Sequence, residues 1–150
     1  MDKQAEEISS IPGAEVKRVG EGINVTFDSG VLFGFDKSEV TPEAVTNLNE
    51  LSKILNKYPD TYVLIEGHTD SNGPESYNMD LSKRRARSVA SYLRQNNVTE
   101  ARIRTAAYGE GQPKFKNDSE ENMAKNRRVE FAIYANEKLI NEAKREAGAE

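Results

Sequence analysis

The chain has 150 residues, a net charge of −4 and 36% hydrophobic residues, and it contains no cysteine. That suits one compact domain with short tails. It excludes disulfides, thiolate catalysis and Cys-ligated zinc, and it argues against a nucleic-acid partner, which needs a basic surface or one large basic face. The longest clean apolar stretch is Tyr62-Val63-Leu64-Ile65, far short of the roughly 20 residues of a membrane helix. The start shows no signal-like apolar segment, as a processed or trimmed protein would also show.

Residues 1–14 are polar, end in Pro12-Gly13, and read as a loose arm or a short helix. Val16–Val19 and Ile23–Phe27 flank Gly20-Glu21-Gly22 and read as a hairpin. Val31-Leu32-Phe33 is expected to continue extended to Asp36. Thr41-Pro42-Glu43 opens a helix with a capping hydroxyl, a first-position proline and a first-turn acid. Its apolar face is Ala44, Leu48, Leu51 and Leu55, and Tyr58-Pro59-Asp60 stops it. A short buried strand follows from Tyr62 to Glu66, then a polar loop, Gly67–Glu75, and a second helix from about Ser76 to Gln95. Arg102–Ala107 is a third strand region, and 109–125 a long loop. Val129, Phe131 and Ile133 alternate with Glu130 and Ala132 in a last strand, and 136–150 reads as a charged helical tail. The expected fold is α+β, a two-layer sandwich. Its mixed four-stranded sheet gains a strand from the N-terminal hairpin and carries two main helices, near 42–57 and 77–95, on one face. Residues 15–135 are the expected domain.

The second helix holds a charge in an unusual place. At about 100° per residue, Leu81, Ala86, Val89, Ala90, Tyr92 and Leu93 fill one half of the wheel, while Lys83, Arg84, Arg87 and Arg94 fill a solvated half. Arg85 falls between Leu81 and Val89, and Asn78 lies on the same stripe. A guanidinium on an apolar face must be paired or be costly. Arg85 is therefore either half of a buried structural ion pair or a receptor for an anion at a pocket floor. Asn78, near the helix start, stands where free backbone N–H groups favour an anion.

The loop before this helix carries Gly67-His68-Thr69-Asp70. Asp70 is placed to bind a cation near the Arg85 site, and Asp36 is a second candidate acid. An acid beside an arginine suggests a receptor for the zwitterionic end of an amino acid. His68, the only histidine, reads first as a structural hydrogen-bonding residue. One imidazole with two loose carboxylates is a weak zinc set. There is no HExxH, GxSxG or phosphate loop to suggest a hydrolase. In Asn126-Arg127-Arg128-Val129, alternation puts Arg127 on the side of Val129 and Phe131 and turns Arg128 away. Arg127 reads as a sheet-edge cap or a second anion contact.

Gly67-His68-Thr69-Asp70, Gly73, Asn78, Leu81-Ser82, Arg85-Ala86 and Asn126-Arg127-Arg128-Val129 together resemble the signature of the OmpA-like C-terminal domain, with relatives in Pal lipoproteins and MotB stators. The resemblance runs from about Gly22 to Tyr134, with the motifs in order and none missing. It implies a periplasmic, non-catalytic domain without metal or cofactor, which binds the diaminopimelate of a peptidoglycan stem peptide. It implies that Asp70 holds the ligand ammonium and Arg85 its carboxylate, with Asp36, Thr69, Asn78, Ala124 and Arg127 as pocket neighbours. The hairpin and acidic arm point to the lipoprotein branch, the YiaD-like group. That branch would carry an upstream lipidated cysteine as its attachment to the outer membrane. The alternatives are the same fold serving mainly as a protein-interaction module in the envelope, and a small hydrolase built on His68 and Asp70.

Overall fold

The computed structural model describes residues 2–34, 37–113 and 115–135; Asp36 and the expected tail at 136–150 lie outside the described residues. The elements are β1 (Glu15–Val19), β2 (Gly22–Asp28), β3 (Thr61–His68), β4 (Ile103–Gly109) and β5 (Arg128–Ala135), with helices α1 (Asp2–Ser9), α2 (Ser29–Leu32), α3 (Pro42–Lys57), α4 (Glu75–Gln95) and α5 (Glu120–Asn126). One five-stranded sheet runs β1-β2-β5-β3-β4, antiparallel except for the parallel β3–β4 pair. The α+β class and the single mixed sheet agree with the expectation, and the hairpin strand is its outer member.

The core lies between one face of this sheet and the helices. Ala44, Leu48, Leu51 and Leu55 of α3 and Ala86, Val89, Ala90 and Leu93 of α4 are buried against alternate residues of the strands, among them Val25, Val63, Ile65, Phe131 and Ile133. Phe27 and Phe131 meet edge to face, with ring centroids 5.8 Å apart. Thr41 caps α3, its hydroxyl accepting from the Ala44 N–H at 3.2 Å. Arg102 closes the other end of α3, donating to the carbonyls of Leu55 and Tyr58.

Three elements differ from the sequence reading. Val31 and Leu32 are not extended: Ser29–Leu32 makes one helical turn before the chain extends again at Phe33, which bridges Val40, and Leu32 and Phe33 both lie in the core. The 109–125 loop contains α5, capped by the Ser119 hydroxyl on the Asn122 N–H. Of the two readings of residues 1–14, the helix is observed, and Gln4, Ala5 and Ile8 are buried. The Tyr58 hydroxyl donates to Glu7 at 2.6 Å and joins α1 to the end of α3.

Two glycines permit the tight seam between α4 and the sheet. A Cβ on Gly67 would meet the Ser82 carbonyl oxygen of α4 at 2.3 Å. Gly109, at φ +53°, lies under the Met79 backbone, and its N–H donates to the Ser82 hydroxyl at 3.1 Å.

The other face of the sheet carries a polar cluster. Arg128 points away from the helices, as alternation expects, yet it is buried: it donates to Glu130 at 2.6 Å and to the Gln112 carbonyl at 3.0 Å. Glu130 also accepts from the Asn24 amide. His68 lies beside them, its ring stacked on Tyr108 at 5.2 Å and its Nε2 3.5 Å from Glu130. Among the described residues neither ring nitrogen finds a hydrogen bond, so His68 is there a packed neutral ring rather than the hydrogen-bonding residue expected. Burial, then the Arg128 charge, lower its pKa to about 4. Burial also works against the Glu130 charge, but hydrogen bonds from Asn24 and Arg128 outweigh it and hold its carboxyl below the usual range. Burial and the facing Glu130 push Glu66 up.

Gly67→Ala should destabilise the domain by roughly 2–4 kcal/mol through a backbone clash. Gly30→Ala, whose new Cβ meets nothing within 4 Å, should change stability by less than about 1 kcal/mol. Urea unfolding compares them, and equal effects would refute the tight seam. The His68 cluster predicts a pH dependence. Between pH 6.5 and about 4 the unfolded imidazole takes up a proton that the folded ring refuses. The His68 contribution is therefore intact above pH 6.5 and lost as pH falls through that window. Glu66, with its raised pKa, works in the opposite direction over the acidic part of the range. The wild type should lose on the order of 2 kcal/mol more than His68→Gln between pH 7 and 4.5. Parallel stability curves for the two proteins would contradict this account.

Candidate functional site

A cavity of about 720 Å³ opens where the C-terminal end of β3 meets the start of α4 and the end of α5. One wall is Ser29, Gly30, Phe33 and Gly34, from α2 and the residues after it; the other is the Thr69–Pro74 loop with Tyr77, Asn78, Leu81 and Arg85 of α4. Arg127 completes the lining. A second groove of about 450 Å³, between α3 and the C-terminal end of α4, is lined by Thr46, Asn49, Glu50, Lys53 and other polar residues, and it holds none of the residues singled out by sequence. The first cavity combines apolar walls with convergent charges and is the site candidate.

Asp70 leaves the end of β3 and is 6% exposed. Its Oδ1 accepts the Asn72 N–H at 3.0 Å, and its Oδ2 accepts from Arg127 Nη1 at 2.5 Å. Thr69 steadies the strand exit: its N–H donates to the Gly109 carbonyl at 2.8 Å, and its hydroxyl donates to the Asp70 carbonyl at 2.9 Å. The Asn78 amide reaches back to the carbonyls of Asn72, at 2.8 Å, and Asp70, at 3.3 Å. It thereby holds the acidic loop over the helix start.

Arg85, further along α4 in the same lining, is 5% exposed. Its Nε donates to the Lys37 carbonyl at 2.9 Å, and its guanidinium lies over the Phe33 ring at 5.1 Å. The ring face supports a cation in a dry setting. The helical-wheel anomaly thus corresponds to a guanidinium in a cavity wall rather than on the solvated face.

Arg127 caps the C-terminus of α5 and does not lie within β5, and its side chain enters the cavity to meet Asp70. Its second nitrogen, Nη2, donates to Glu120 at 2.8 Å. Burial opposes its charge, but hydrogen bonds to Glu120 and Asp70 raise its pKa above the usual arginine value.

The structure therefore brings Thr69, Asp70, Asn78, Arg85 and Arg127 to one cavity. Ala124 lies in α5, three residues before Arg127, and is not among the lining residues. Asp36 lies outside the described residues. The hydrolase alternative needs His68 beside Asp70, but the His68 ring packs on Tyr108 and is not part of the cavity. Sequence reasoning missed the Ser29–Gly34 wall, because Val31–Phe33 reads as extended chain and the turn at Ser29–Leu32 leaves no local signal. It missed Glu120 as well, although Ser119-Glu120-Glu121 carries a helix-start signal.

The sequence matches the OmpA family over residues 32–127. It is 41% identical over 117 residues to outer membrane porin F of Pseudomonas fluorescens, covering 78% of this chain and 35% of the porin. It is 37% identical over 121 residues to the probable lipoprotein YiaD of Escherichia coli K12, covering 81% of this chain and 55% of YiaD. With a peptidoglycan-associated lipoprotein of Haemophilus influenzae it shares 40% over 102 residues, covering 68% of this chain and 67% of that lipoprotein. The chain thus spans about a third of the porin and about half of YiaD. Among solved structures, a MotB-like protein from Desulfovibrio vulgaris superposes with a TM-score of 0.81 at 27% identity, covering 90% of this chain and 86% of that one. The family match begins at Leu32, beside the cavity wall, and ends at Arg127 in its lining: the chain belongs to the OmpA family.

Proposed function

We propose that this domain binds peptidoglycan non-covalently through the diaminopimelate of the stem peptide and so ties an envelope component to the cell wall. The observation that carries the reading is a nearly buried carboxylate, Asp70, and a nearly buried guanidinium, Arg85, sharing one cavity with apolar walls. Diaminopimelate ends in a free amine and a free carboxylate on one carbon. Asp70 takes the ammonium and Arg85 the carboxylate. Each such charge-assisted hydrogen bond is worth roughly 1.5–3 kcal/mol. Thr69 and Asn78 act by fixing the Asp70 loop, and Asp36 and Ala124 are carried as further ligand contacts on the family resemblance alone. The role is binding without chemistry.

The relatives support the cell-wall assignment. One is named a peptidoglycan-associated lipoprotein, and others are outer membrane porins. We place this domain in the periplasm on that ground, held at the outer membrane by an upstream lipidated segment, in the manner of the lipoprotein branch.

Lysine-type stem peptides offer the ammonium without the carboxylate. They would leave Arg85 without the ligand's charge, a loss on the order of 2–5 kcal/mol, or at least about 30-fold in affinity. Calorimetry with matched stem peptides should show binding of the diaminopimelate type and little or none of the lysine type. Asp70→Ala should abolish binding in a domain that still unfolds cooperatively. Arg85→Ala should erase the preference, and Arg85→Lys should restore it poorly, because an ammonium lacks the forked donor geometry. Equal affinity of the unmutated protein for both peptides would sink the zwitterion reading.

A further inference from the structure

The acid proposed to hold the ligand ammonium already holds a cation. Arg127 Nη1 donates to Asp70 Oδ2 at 2.5 Å, while Nη2 of the same guanidinium donates to Glu120 Oε1 at 2.8 Å. The two acids differ in setting. The Asp70 side chain is 8% exposed inside the cavity, and the Glu120 side chain is 74% exposed outside it. Arg127, at 33%, spans the boundary. Its backbone is fixed on both sides: its N–H donates to the Met123 carbonyl at 3.1 Å, and its carbonyl accepts the Ser29 N–H at 2.8 Å. Any change in its pairing therefore comes from side-chain rotation.

We infer that Arg127 is the resident counter-ion of the ammonium seat and that Glu120 receives it when a ligand enters. This rests on the proposed zwitterion-binding role of the cavity. An arriving ammonium on Asp70 stands next to the Arg127 guanidinium, and two cations against one poorly hydrated carboxylate repel. Rotation of Arg127 toward Glu120 removes that repulsion and keeps the guanidinium paired. Arg127 thus competes with the ligand amine instead of supplying the second anion contact that its sequence position suggested. Glu120 becomes a positioning residue for binding, although it touches neither the cavity nor the ligand.

The two residues then have opposite effects. Removing Arg127 frees Asp70 and tightens binding. Removing the Glu120 charge leaves Arg127 with Asp70 as its one acid among the described residues and weakens binding. With Arg127 absent, Glu120 has nothing to receive and its removal has no effect.

The test is calorimetric titration of the 150-residue chain with a tripeptide ending in diaminopimelate, with thermal unfolding of every variant recorded alongside. Arg127→Gln should bind about three- to tenfold more tightly than wild type, and Glu120→Gln about three- to tenfold more weakly. Glu120→Asp should recover most of the loss, and the Glu120→Gln/Arg127→Gln double variant should match Arg127→Gln alone. Weaker binding by Arg127→Gln in a folded protein would overturn the exchange, as would an unchanged Glu120→Gln affinity or additive effects in the double variant. If Arg127→Gln fails to fold, the surface pair Glu120→Gln and Glu120→Asp decides the matter by the same criterion. Wild-type protein that does not bind the tripeptide would overturn the cavity reading itself; wild-type binding with the wrong variant pattern overturns the exchange alone.

Discussion

Gly67 of β3 lies directly beneath the Ser82 carbonyl of α4, with no room for a Cβ, and the geometry of the cavity follows from that approach. A helix seated that close brings the Arg85 side of α4 within the same recess as the strand exit that carries Asp70. The Ser82 hydroxyl continues the seam by accepting the Gly109 N–H and donating to the Met79 carbonyl. Gly109 in turn accepts the Thr69 N–H. Strand, helix and acidic loop are therefore linked by backbone contacts and one short serine side chain, which resist displacement better than long flexible side chains do.

On this scaffold the cavity holds opposite charges that are nearly withdrawn from water. Such groups are costly unless satisfied, and each has internal partners. Asp70 has the Asn72 N–H and Arg127; Arg85 has the Lys37 carbonyl and the Phe33 ring face. Those contacts orient each group while leaving a cavity in front of it. The desolvated setting strengthens attraction to a ligand with matching charges. It also penalises one that supplies only half of them, which is a route to specificity by difference.

Much of this was legible in the sequence. Thr41-Pro42-Glu43 marked the α3 start, and the hydrophobic periodicity of α4 exposed Arg85 as a charge on the wrong side. Asp70 was placed by its position just after a strand and before a helix. What was not legible depended on partners distant in the chain. The turn at Ser29–Leu32 looks extended by local pattern, and it is bent because Leu32 and Phe33 are buried. Alternation turns Arg128 away from the Val129 side but does not show that the Gln112 carbonyl and Glu130 hold it there. His68 reads as a polar turn residue beside Asp70, whereas its ring packs against Tyr108 on the far face of the sheet. The Arg127 pairing with Asp70 joins residues 57 positions apart, which no local spacing rule reaches.

The central claim is that one zwitterionic group is held between Asp70 and Arg85. The most direct measurement is an NMR titration of the isotope-labelled domain with a diaminopimelate tripeptide, following backbone amides and the Arg85 Nε–H together. The account predicts saturable shifts in the Thr69–Gly73 loop, the Ser29–Gly34 wall and Arg85 Nε–H, with one common affinity. Shifts centred instead on the groove between α3 and the end of α4, or loop shifts with no change at Arg85, would contradict it.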